Sequence, residues 1–133
     1  MHCMTPDEAL QAANSILLVD WPSRDVPDTL TRAGYAVIAS EGPGPDEYVA
    51  YGLDGNEVFT RPSGGAPERA EIVYSHRPID ELPEIVDLAK QVGATTVWCE
   101  TGSSAARDIV ESSGLGYADT SIVETVQQLA PRS

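Results

Sequence analysis

Four short apolar runs constrain this chain more than any other feature: Ile16-Leu17-Leu18-Val19, Tyr35-Ala36-Val37-Ile38-Ala39, Ile72-Val73-Tyr74-Ser75 and Thr96-Val97-Trp98-Cys99. Each is continuous rather than alternating, so successive side chains would be apolar on both faces of a strand. Strands of that kind belong to parallel sheets covered by helices on both sides.

The segments between the runs read as those helices. Asp25 or Val26 opens the first, with Pro27 in its first turn, Leu30 and Ala33 facing inward, and Gly34 as the terminating residue. Asp80 is the expected cap of the next, which carries the stripe Leu82, Ile85, Val86, Leu88 and Ala89 and closes at Gly93. Ser103 or Ser104 caps a helix with Ala106, Ile109 and Val110 that ends near Gly114. Tyr117 to Asp119 forms a last brief strand, and Ser121 to Leu129 a last helix. Residues 1–14 are a tail with a short helix from Thr5, capped by Thr5 and opened by Pro6. Residues 40–70 are irregular, rich in Gly and Pro. Asp54-Gly55 is a hairpin signal there, and a hairpin and a long loop with one short strand are both compatible with it. The alternation of strand and helix implies one α/β domain over residues 1–133, a three-layer sandwich with a mostly parallel sheet.

The net charge of −13 argues against nucleic-acid and anionic-membrane partners. The N-terminus lacks the basic and apolar regions of a signal peptide, and no apolar run approaches bilayer length. Cys3 and Cys99 suggest neither a disulfide framework nor a metal motif. The expected setting is the cytoplasm.

In sheets of this type ligands bind beyond the carboxyl ends of the strands, where strand order reverses. The segments to weigh are Asp20 to Arg24, Ser40 to Gly44, His76 to Pro78 and Glu100 to Ser104. Gly102 lets a ligand approach the backbone, and the N–H groups at the following helix start favour anions, although Ser103 and Ser104 also serve as plain caps. Of eight Lys and Arg residues, Arg24 and Arg77 fall in strand-end loops, and Arg61 and Arg69 in the irregular segment expected nearby. Catalytic patterns are sparse. There is no phosphate-binding P-loop, no nucleophile elbow and no dinucleotide fingerprint after the first strand. His76 and Cys99 would form a nucleophile–base pair only if their strands are neighbours, and core packing is the simpler role for Cys99. Two histidines without ligand spacing do not suggest zinc.

The stretch Ile72-Val73-Tyr74-Ser75-His76-Arg77-Pro78, the helix segment Leu82-Pro83-Glu84-Ile85-Val86, and Gly93-Ala94-Thr95-Thr96-Val97-Trp98 followed by Gly102 together resemble the small stand-alone CoA-binding proteins, relatives of the CoA-binding domain of succinyl-CoA synthetase. Gly34-Tyr35-Ala36-Val37-Ile38 resembles that family's second strand. The likeness runs from about Ser15 to Leu129. It implies a Rossmann-like fold with strand order 3-2-1-4-5-6 and coenzyme A in the crevice between the first and fourth strands. It places Asp20, Ser23 and Arg24 in the first loop against the phosphates, Ser40 at the nucleotide end, and His76, Arg77, Pro78 and Gly102 on the neighbouring wall. The first loop, Asp20-Trp21-Pro22-Ser23-Arg24-Asp25, lacks the family's glycine, and Thr120-Ser121 stands where the family often has Arg-Cys after Asp119, so the chain reads as a diverged member.

The reading that follows is a non-catalytic domain binding CoA or a related nucleotide. The alternative is a diverged module that has lost the ligand and serves protein interaction, for instance as a homodimer. An enzyme using His76 or Cys99 is the third reading.

Overall fold

In the computed structural model, the first apolar run is a strand whose side chains divide between two cores. The structure describes residues 8, 10–11, 13–19, 21, 25–40, 48–55, 57–62, 69–76, 79–100 and 104–128. Strand β1 is Ser15–Val19, β2 Ala36–Ser40, β3 Val49–Asp54, β4 Glu57–Pro62, β5 Ile72–Ser75, β6 Thr96–Cys99 and β7 Gly116–Ala118. Helix α1 is Asp25–Arg32, α2 Leu82–Gln91, α3 Ser104–Ser112 and α4 Ile122–Gln128. Glu8, Leu10 and Gln11 are helical, but Ala13 and Asn14 are not, so the N-terminal helix stops short of the expected Asn14.

Along β1, Ile16 and Leu18 pack on one face with Val26 and Leu30 of α1 and Ile122 of α4. Leu17 and Val19 pack on the other with Leu82, Ile85 and Ala89 of α2 and Val110 of α3. Strands β5 and β6 divide in the same way. Tyr74 and Trp98 face α1 and α4, while Val73 and Val97 face α2 and α3. The period of two along a strand explains why the apolar runs are continuous: both faces are interior. The fold is a Rossmann-like α/β sandwich, with a mostly parallel sheet between two helical layers. No helix among the described residues is long and apolar enough to cross a membrane.

The sheet has seven strands in the order β4-β3-β2-β1-β5-β6-β7. The expected order 3-2-1-4-5-6 holds from the second strand across to the far edge, but the near edge differs. The irregular segment supplies two strands there rather than one, both running as a hairpin. Strand β3 pairs antiparallel with β2, and β4 antiparallel with β3. The cause is local: Gly55, with φ of 64°, permits the tight turn between Asp54 and Glu57, and a chain reversed in two residues returns antiparallel.

The helix ends follow the glycines. Gly34, Gly93 and Gly114 all have positive φ. The start of α2 departs from expectation. Ile79–Glu81 forms a 3-10 turn, and the capping position falls on Glu81, whose side chain does not cap the helix, rather than on Asp80. Pro83 in the first turn needs no donor there.

Candidate functional site

The spatial condition for a ligand crevice is met in the sheet. Strands β1 and β5 are parallel neighbours, with Leu18 beside Tyr74 and Val19 beside Ser75. The chain leaves β1 through α1 on one face and β5 through α2 on the other. The carboxyl ends of β1 and β5 therefore form the switch point of the fold.

Four strand-end positions line up across this edge. Ser40 pairs with Val19, Val19 with Ser75, and Ser75 with Cys99. Ser40 thus stands at the end of β2, one strand from the switch point. His76 stands on the seam itself: its main-chain N–H donates to the Val19 carbonyl at 3.3 Å. Its side chain is half-buried, and the buried Nδ1 has no hydrogen-bond partner among the described residues. Asp20, Ser23, Arg24, Arg77, Pro78 and Gly102, the other expected site residues, lie outside the described residues.

Trp21 is half-buried and packs against the core on the α1–α4 side. Cys99 is buried at 2 % exposure, and its register partner is Ser75 rather than His76. Burial suits the packing role for this thiol.

Two of the cations expected near the strand ends are elsewhere. Arg69 lies at the amino end of the sheet, where its carbonyl accepts the Ser15 hydroxyl at the start of β1. Arg61 sits on β4, opposite Ala50, at the outer edge of the sheet. With strands about 4.8 Å apart, the three steps from β4 to β1 remove it from the crevice. Chain distance suggested proximity, but the hairpin carries Arg61 outward. Glu100 is also spent: its Oε2 accepts the Ile122 main-chain N–H at 2.9 Å, so this strand-end acid closes the start of α4.

A feature the sequence does not announce is a half-open groove of about 680 Å³ between α1 and the hairpin, with Asp25, Asp28, Glu57, Tyr51 and Thr60 in its walls. Arg32 is held by Asp28 at 3.0 Å. The acidic residues in its walls make this groove a poor host for a phosphate. At the β7 side, burial first and then the Asp119 carboxylate push the Tyr117 phenol up to about 12. The Arg107 guanidinium sits 5.4 Å from its ring centroid and opposes the shift.

Comparison with protein-family models, curated proteins and solved structures finds no match for this chain.

Proposed function

We propose that this domain binds coenzyme A or a related nucleotide, without catalysing its conversion, in the crevice at the carboxyl ends of β1 and β5. The observation that carries this reading is the seam itself: two parallel neighbours whose connections leave to opposite faces, with His76 at the end of β5 bound through its main-chain N–H to Val19 of β1. Ser23 and Arg24 of the loop after β1, Arg77 and Pro78 after His76, and Gly102 after β6 would complete the walls, with Ser40 toward the nucleotide. Asp20 would lie nearest the phosphates and limit affinity, so a cation accompanying the ligand would strengthen it. A reducing cytoplasm is the setting in which a free CoA thiol persists.

Calorimetric titration with CoA, ADP and NAD tests the reading. Saturating CoA at a hundredfold over Kd should add about 2.7 kcal/mol to stability, and His76→Ala should weaken binding about tenfold. Absence of heat and of any thermal shift at millimolar ligand would reject it.

A second reading, an interaction module without a ligand, is favoured by one observation. β4 ends the sheet, and no described strand pairs with its outer edge.

A further inference from the structure

The outer edge of β4 is self-complementary, and we propose that it pairs antiparallel with the β4 of a second copy of this chain, across a two-fold axis at Phe59. This inference is independent of whether the crevice holds a ligand.

The two-residue turn makes Asp54 and Glu57 a hydrogen-bonded pair of the hairpin. Strict alternation then makes Gly52–Phe59 and Ala50–Arg61 the next bonded pairs, and turns the main-chain groups of Val58 and Thr60 away from β3. Those outward groups are what an added strand needs. Pro62 falls on the same outward series, where its missing N–H costs the hairpin nothing and ends the free ladder.

One register satisfies the edge with itself. With Phe59 opposite the partner's Phe59, Val58 meets the partner's Thr60 and exchanges both main-chain bonds with it. Glu57 then stands opposite the partner's Arg61, and Arg61 opposite the partner's Glu57. Glu57, Phe59 and Arg61 alternate onto one face, so the paired edge sets a Glu–Arg pair on each side of the axis at Phe59. The residues are available for it. Phe59 is 42 % exposed, Glu57 and Arg61 are exposed, and no ion pair joins either charge to a described residue. The tip of the Phe59 ring rests over Gly52, where a Cβ would come within 2.7 Å of Cζ. The ring is therefore laid back over its own hairpin instead of blocking the approach of a strand. Among the described residues Arg61 has no acidic partner, and a second copy in this register would bring it one. Two such copies repel at long range, but at 0.15 M salt the repulsion is screened beyond about 8 Å, and local complementarity decides.

Sedimentation velocity at physiological salt on the full chain is the test. The wild type should run at twice 14.2 kDa at micromolar to millimolar concentration. Glu57→Arg sets like charges opposite each other and should weaken the dimer at least about tenfold. Glu57→Arg combined with Arg61→Glu restores opposite signs and should recover the dimer. Thr60→Pro removes only an outward N–H and should leave a folded monomer by circular dichroism. A wild type that stays monomeric at millimolar concentration overturns the proposal and leaves the edge to a strand of another protein or to solvent. A dimer indifferent to both Glu57→Arg and Thr60→Pro overturns it as well, because its interface would lie elsewhere.

Discussion

Glu100 accepts the main-chain N–H of Ile122 at 2.9 Å, so the acid that ends β6 holds the start of the last helix. Ser121 adds its hydroxyl to the N–H of Glu124 at 3.3 Å. The pair ties a strand end to the layer that covers the opposite end of the chain.

Glu100→Ala should therefore cost about 1 kcal/mol of stability, the usual worth of a helix cap. Urea unfolding reads the cost. The proposed binding of CoA at the switch point should not change, since the carboxylate is turned to α4.

Trp98 is fully buried, and its indole N–H donates to the Thr120 carbonyl at 2.7 Å. Trp98→Phe keeps most of the packing and leaves that carbonyl without its donor, for an expected loss of about 1–3 kcal/mol. Trp98→Ala should lose about 3–5 kcal/mol, a large part of the stability of a domain this size. Chemical denaturation followed by circular dichroism distinguishes the two.

Gly93 ends α2 with φ of 73°, and a Cβ there would meet nothing within 4 Å. Its requirement is thus backbone strain alone. Gly93→Ala should cost about 1 kcal/mol, and Gly93→Asn less, because Asn tolerates the left-handed region. Equal costs for the two variants would point to packing rather than conformation.

Tyr117 links stability to alkaline pH. Its phenol is raised from 10.0 to about 12 in the folded chain, so folding favours the neutral form. Below pH 10 both states keep the proton and the contribution is complete; it is lost as pH rises from 10 through about 12. The thermal midpoint of the wild type should fall faster over that interval than that of Tyr117→Phe. Parallel curves would remove the link.

Much of the fold was legible because its signals are local. Ile16 to Val19 are apolar at every position, and Thr96 to Cys99 are buried throughout with Thr96 the one polar member, a pattern that suits a strand covered on both faces. Gly34, Gly93 and Gly114 mark helix ends through a conformation that other residues resist. The candidate site was legible only as a set of strand ends. His76 reached the seam because β5 pairs with β1, and Arg61 and Arg69 missed it because pairing carried one to the outer edge and the other to the amino end.

The amino-acid sequence by itself determined the elements and the covered parallel centre of the sheet, since hydrophobic periodicity and turn chemistry act within a few residues. Tertiary structure alone decided that the hairpin signalled by Asp54-Gly55 joins the near edge of the sheet beside β2, that Glu100 serves a helix, and that Glu57, Phe59 and Arg61 share an open rim. Those outcomes depend on which strands lie side by side and in what register, and register is set by contacts between residues far apart in the chain.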